Sequence, residues 1–297
     1  MKIIAVIGAG TMGCGIAQVF AQSGFLVHLI DTNEQATSNA MSEISRSLEK
    51  LEQKLLITSN NKASTLSRLI TYPAIAEGVQ DAQLVVEAAT ENMGVKRAIF
   101  AELDAICPVN CILASNTSSI SITEIAAATT KPERVVGMHF MNPVPLMPLV
   151  EIIRGYRTSA ATTQIAHEYC LLLGKSPIQV QDFPGFVANR ILMPMINEAI
   201  QTLYEGVAGV SEIDTIMKLG TAQPMGPLEL ADFIGLDVCL QIMRVLQAGY
   251  GSDKYAASPL LIKIVASGNL GAKTGEGFYN WQHGRKNITV SKQFLEP

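Results

Sequence analysis

Two apolar runs each carry one residue that does not belong there. Residues 135–140 read Val-Val-Gly-Met-His-Phe and residues 149–153 read Leu-Val-Glu-Ile-Ile, which sets His139 and Glu151 twelve positions apart. A histidine can take the proton of a hydroxyl, and a carboxylate beside it can fix the ring tautomer and stabilise the imidazolium that forms. An unpaired buried carboxylate is costly, so a partner for Glu151 is expected if the two runs are neighbouring strands. The same spacing also fits a solvent-facing glutamate and a buried histidine bonded to backbone, and both readings stay open on spacing alone. The other histidines are placed less suggestively: His28 inside an apolar strand pattern, His167 in a helical one and His283 in a polar tail.

The second chemical signal is at the N-terminus. Gly8-Ala9-Gly10-Thr11-Met12-Gly13 fits G-x-G-x-x-G between a strand pattern and a helix pattern. The first glycine permits the tight turn, the second lets a pyrophosphate approach the backbone, and the third lets helix and strand pack closely. The phosphates would then meet the unpaired N–H groups and positive dipole end of the helix. Asp31 ends the next apolar run, 18 residues after Gly13, near the spacing of an acidic ribose ligand. A carboxylate there accepts from a ribose diol and repels a 2′-phosphate, which points to NAD in preference to NADP. Glycines that only turn the chain, with an aspartate that only caps a strand, form the competing reading.

Two polar stretches could add groups to the same crevice. Ser115-Asn116-Thr117-Ser118-Ser119 follows an apolar run, and Asn189 lies four residues after Gly185. Ser, Thr and Asn cap helices and make turns everywhere, and that reading stands beside the functional one.

These groups need a scaffold, and its outline is legible. The chain has 297 residues, 48% of them hydrophobic and 16% charged, enough for about two domains and incompatible with intrinsic disorder. Strand patterns at 3–8, 25–31, 83–88, 111–115, 134–140 and 148–153 alternate with helical ones. Ile44, Leu48, Leu51 and Leu55 form one stripe of a helical excursion at about 33–68, expected to project from the sheet. After Pro184-Gly185 the pattern turns helical, at 186–204, 211–219, 226–248 and 258–267, with Pro194 expected to kink the first or mark a break in it. The expected fold is therefore an α/β N-terminal Rossmann-like domain with a mostly parallel sheet, residues 1–183, followed by an all-α C-terminal domain, residues 184–297. Residues 275–281 read as an ordered packing segment.

Composition narrows the partners. Lys plus Arg number 22 against 26 Asp plus Glu, a net charge of −4, which argues against nucleic acid or an anionic membrane as the main partner. No run of 18 or more uncharged apolar residues suggests a membrane span, and the short run at 1–8 is too short for a signal peptide. The five cysteines (Cys14, Cys107, Cys111, Cys170, Cys239) lack metal-site spacing, so no metal and reduced thiols in a cytoplasmic enzyme are expected. Apolar segments at 236–246 and 260–265 are expected to be buried partly against a second copy, giving a homodimer.

Several longer stretches carry a likeness: GAGTMGCGIA at 8–17, ASNTSS at 114–119, HFMNPVPLMPLVEII at 139–153, DFPGFVANRI at 182–191, KLGTAQPMGPLELADFIGLD at 218–237 and TGEGFYNW at 274–281. With these motifs the chain resembles the 3-hydroxyacyl-CoA dehydrogenases, closest to the short bacterial 3-hydroxybutyryl-CoA dehydrogenases. The resemblance implies NAD-dependent oxidation of an (S)-3-hydroxyacyl-CoA to the 3-oxoacyl-CoA, and the reverse reduction. It implies that His139 is the general base, that Glu151 orients it, and that Ser118 and Asn189 meet the reacting end of the substrate. It places Glu91, Lys96, Ser118 and Asn142 near the cofactor, with Gly8, Gly10, Thr11, Met12, Gly13 and Asp31, and Ser47 and Lys54 against coenzyme A. Two other readings stand beside it: a related NAD-dependent dehydrogenase of a free hydroxy acid or sugar acid, and a non-catalytic NAD-binding relative.

Overall fold

A computed structural model describes residues 2–295. The chain divides into two compact units, 1–183 and 184–297. The first runs β1 (Ile3–Ile7), α1 (Thr11–Gln22), β2 (Leu26–Ile30), α2 (Glu34–Gln53), α3 (Ser59–Leu66), β3 (Leu69–Tyr72), α4 (Ile75–Gly78), β4 (Leu84–Glu87) and α5 (Met93–Ile106). It continues with β5 (Ile112–Ser115), α6 (Ile122–Ala126), β6 (Val135–Phe140), β7 (Leu149–Arg154), α7 (Ala160–Leu172) and β8 (Ser176–Gln181).

All eight strands form one sheet in the order β3-β2-β1-β4-β5-β6-β7-β8. Every pairing is parallel except β6 with β7, which is antiparallel. Central strands such as β1, β4 and β5 are almost wholly buried, which is why their sequences are continuous apolar runs with no alternation. The chain order reverses between β1 and β4, and open sheets of this kind bind ligands beyond the strand ends at such a point. Ile7, Glu87, Ser115 and Gly137 lie side by side in register, so the residues that follow them share one edge of the sheet.

Several sequence expectations change here. β3 and β8 were not among the expected strands. Both are edge strands, and half-exposed edges lack the apolar run that marks the centre; Pro177 is tolerated in β8 because an edge strand need not donate on both sides. The near part of the helical excursion packs against α1, whereas no residue from 49 to 64 is buried. Ala40, Ile44 and Leu48 of α2 are buried in the core that includes Ile16 and Phe20 of α1. Its apolar stripe does not extend to Leu55, which follows the helix, adopts φ 58° and is 91% exposed.

The second unit comprises α8 (Ala188–Tyr204), α9 (Val210–Gly220), α10 (Pro227–Ile234), α11 (Leu236–Tyr250), α12 (Pro259–Ala266) and a ribbon of β9 (Tyr279–Asn280) with β10 (Thr289–Val290). Pro194 sits inside α8, which runs as one helix across it. The expected single helix at 226–248 is two, because Gly235 takes φ 106° between α10 and α11. Asp232 is fully buried and accepts from the N–H groups of Phe278 (3.0 Å) and Tyr279 (2.8 Å) and from Nε1 of Trp281 (3.0 Å). That clamp holds the aromatic tail against α10.

Candidate active site

The glycine-rich turn is shaped for close approach. Gly8 follows β1 with φ 98°, and a Cβ there would lie 2.6 Å from the Ala88 carbonyl oxygen. A Cβ on Gly13 would lie 1.8 Å from the Gly8 oxygen, so α1 can begin here only with glycine at that position. Around Gly10, by contrast, nothing lies within 4 Å of a notional Cβ, and no side chain caps the first turn of α1. Open space over an uncapped helix start, at Gly10, Thr11 and Met12, suits a pyrophosphate. Asp31, just past β2, accepts from the Ala9 N–H (2.8 Å) and the Asn33 N–H (2.9 Å), which fixes its carboxylate beside the turn. These residues fit a dinucleotide with a ribose diol at Asp31.

Across the reversed pair β6–β7, His139 and Glu151 are direct register partners. Their side chains therefore leave the same face of the sheet, and Nδ1 of His139 lies 2.8 Å from Oε2 of Glu151. Both are buried, at 7% and 2% exposure. An ionised carboxylate only accepts, so the Nδ1 proton donates to it and the neutral ring carries its lone pair on Nε2. This arrangement can take a proton at Nε2 and stabilise the resulting cation. The next residue joins it to a second loop: the Phe140 N–H donates to Oδ1 of Asn116 at 2.9 Å.

That second loop, after β5, is held by an ionic network. Oε1 of Glu91 accepts from the hydroxyl of Thr117 (2.6 Å), from the N–H (3.0 Å) and hydroxyl (3.1 Å) of Ser118, and from the hydroxyl of Ser119 (3.3 Å). Its Oε2 lies 3.4 Å from Nζ of Lys96. Burial alone would raise the Glu91 carboxyl's pKa, but the Lys96 charge and the Thr117 and Ser118 hydrogen bonds outweigh it and hold it below the usual carboxylate range.

Lys96 is 1% exposed and also bridges Glu87, which is 0% exposed, at 2.8 and 3.0 Å. Glu87 is the residue that sequence reasoning missed. The signal was available, since it ends the run Leu-Val-Val-Glu at 84–87 just as Glu151 interrupts its own.

The remaining expected positions are more scattered. Asn142 is exposed in the connection after β6. Ser47 is half-buried within α2, and Lys54 is the exposed residue capping that helix's C-terminus. Asn189 is in the first turn of α8 in the helical unit, 9% exposed. His28 makes a structural bond, with Nδ1 2.8 Å from the Gly78 carbonyl oxygen. All five cysteines are free. Among the described residues, no cluster of three or more His, Cys, Asp or Glu could hold a metal, and no helix is long and apolar enough to cross a membrane.

Comparison with known proteins gives the same picture at the level of whole chains. Residues 3–183 match the 3-hydroxyacyl-CoA dehydrogenase NAD binding domain, and residues 185–281 match the C-terminal domain of the same family. A probable 3-hydroxybutyryl-CoA dehydrogenase of Deinococcus radiodurans is 54% identical over 276 residues, covering 93% of this chain and 99% of the relative. A probable 3-hydroxybutyryl-CoA dehydrogenase of Bacillus subtilis is 51% identical over 282 residues, covering 95% and 98%. The crystal structure of (S)-3-hydroxybutyryl-CoA dehydrogenase from Ralstonia eutropha superposes with a TM-score of 0.89 at 46% identity, covering 93% of this chain and 98% of that one. With both domain matches in sequence order and half the residues shared with relatives of the same length, the chain belongs to the 3-hydroxyacyl-CoA dehydrogenase family.

Proposed function

We propose that the chain oxidises the 3-hydroxyl of an (S)-3-hydroxyacyl-CoA, a 3-hydroxybutyryl thioester in the first place, and reduces the 3-oxo thioester in reverse. It is an NAD-dependent oxidoreductase, and the single observation that carries the mechanism is the His139–Glu151 bond of 2.8 Å across β6 and β7. Bound nicotinamide supplies a hydride acceptor for C3 of the substrate. His139 takes the hydroxyl proton at Nε2, and Glu151 favours the imidazolium by accepting from Nδ1. In reduction the same ring returns the proton to the forming alkoxide. Ser118 and Asn189 hold the reacting end of the thioester so that C3 meets its acceptor in line. Gly8, Gly10, Thr11, Met12, Gly13 and Asp31 hold the dinucleotide, with Glu91, Lys96, Ser118 and Asn142 at the nicotinamide end. Ser47 and Lys54 meet coenzyme A. The enzyme works in the cytoplasm as a homodimer built on its helical unit.

The acyl carrier decides between this reading and a dehydrogenase of free acids. With NADH, acetoacetyl-CoA is reduced rapidly and free acetoacetate slowly, followed by loss of absorbance at the reduced-nicotinamide band. Equal or faster reduction of the free acid overturns the thioester assignment. Binding of NADH without turnover of any 3-oxoacyl-CoA overturns the enzyme assignment.

A further inference from the structure

Glu87 has no part in the chemistry described above, yet it is the most completely sequestered carboxylate on the dinucleotide edge of the sheet. A charge at 0% exposure is tolerated only when its oxygens are satisfied. Lys96 approaches both oxygens, at 2.8 and 3.0 Å; the Ser115 hydroxyl donates to Oε2 at 2.6 Å and the Ala89 N–H to Oε1 at 2.7 Å. Every one of those donors comes from a segment of the site: Ala89 from the chain leaving β4, Lys96 from the first turns of α5, and Ser115 from the end of β5.

Lys96 is 1% exposed, and its ammonium faces carboxylates. Its remaining charged neighbour is Glu91, at 3.4 Å. Glu91 divides its two oxygens: one faces the lysine, and the other gathers the donors of Thr117, Ser118 and Ser119. If Glu87 were neutral, the lysine would retain Glu91 as its one ion-pair partner among the described residues. It would then draw that carboxylate toward itself and away from the serine loop. The triad of two carboxylates and one ammonium is therefore a lever whose fixed end is Glu87.

We propose that Glu87 is a positioning residue for the dehydrogenase reaction, anchoring Lys96 so that Glu91 holds the 117–119 loop, and with it Ser118, at a fixed height over the sheet edge. The proposal rests on the reading that Ser118 meets the substrate.

In the full-length enzyme, Glu87→Gln lowers kcat for acetoacetyl-CoA reduction by up to about a hundredfold, as misplacing a substrate-positioning group does, while the NADH dissociation constant from fluorescence titration moves less than about threefold. Glu87→Asp, which keeps the charge, recovers most of the loss. A purely structural role would lower the melting temperature and leave kcat per folded molecule unchanged, and that result overturns the proposal. Should Glu87→Gln not fold, Ser115→Ala removes a hydrogen bond to Glu87 and leaves Lys96 in place. A folded Ser115→Ala with wild-type kcat overturns the proposal, and a slow one that keeps its NADH affinity supports it. Ser118→Ala is run alongside: if it keeps wild-type turnover while Glu87→Gln is slow, the route through Ser118 is wrong. Wild-type protein inactive on acetoacetyl-CoA sinks the dehydrogenase reading, whereas active wild type with an equally active, folded Glu87→Gln sinks this proposal alone.

Discussion

Removing the imidazole of His139 deletes a proton acceptor and leaves the Gly8–Gly13 turn untouched. His139→Ala therefore loses about 10² to 10⁴ in kcat, the usual range for a general base, with NADH affinity nearly unchanged; steady-state kinetics with fluorescence titration separates the two. Glu151→Gln keeps a side chain of the same shape but no longer the charge that steadies the imidazolium, so turnover falls by about 10² or more while the near-UV circular dichroism spectrum is retained. Full turnover in that variant reduces Glu151 to a structural role. Both residues were legible because each is a polar exception in an apolar run, though the run alone left a solvent-facing glutamate equally open. Only the register of β6 against β7 decides that, and register is a long-range property. Glu87 carried the same local signal, but its meaning depended on Lys96 and Ser115, whose approach is set by α5 and β5.

The segments that hold these side chains divide into those with strong periodic signals and those without. Central strands and the long helices were legible from burial patterns. The edge strands β3 and β8 were not, because a strand exposed on one side and paired on the other loses its apolar run. The break at Gly235 was hidden by apolar helix formers on both sides, while the glycine supplies a φ of 106° that no periodicity reports. The end of α2 gives a direct check. Ile44 is fully buried and Leu55 is 91% exposed, so Ile44→Ala costs about 2–5 kcal/mol by denaturant unfolding and Leu55→Ala close to nothing. Because Leu55 takes a left-handed conformation at φ 58°, Leu55→Gly stabilises by about 1 kcal/mol instead. A destabilising Leu55→Gly would mean that the helix continues through residue 55.

For the protein as a whole, stability against pH and the association state are the properties to test. Burial pushes the Asp232 carboxyl up to about 6, against the Trp281, Tyr279 and Phe278 donors, with Asp214 adding a like charge. A carboxyl whose pKa is higher folded than unfolded binds its proton more tightly in the native state. Its stabilising contribution is complete below the unfolded value of about 4 and is lost as pH rises through about 6. The stability difference between wild type and Asp232→Asn, from urea midpoints, thus shifts against the wild type across that window and is level above it. A difference independent of pH would place no shifted carboxyl there.

On association, the expected contact segments are divided: Val238 and Ile262 are exposed, and their other apolar residues turn inward. Leu236, Leu240, Met243 and Leu246 are buried in the helical unit's own core, and Leu261 and Ile264 with them. Further exposed apolar side chains lie at Ile191, Val207, Ile216 and Leu219. A dimer that covers them gives twice the chain mass by light scattering at micromolar concentration, and Ile216→Lys with Leu219→Lys halves it. A wild-type monomer at that concentration rejects the homodimer.

The reversal of β7 separates two quantities that are easily confused. The ladder fixes the distance between imidazole and carboxylate, while residues 141–148, whatever else they hold, do not set it. Lengthening or shortening that connection leaves the pair intact as long as the pairing is kept, whereas a one-residue slip of β7 sends the carboxylate to the opposite face. In distant sequences, then, the acid is found by aligning the two strands, and counting twelve residues from the histidine misses it wherever the connection has changed length.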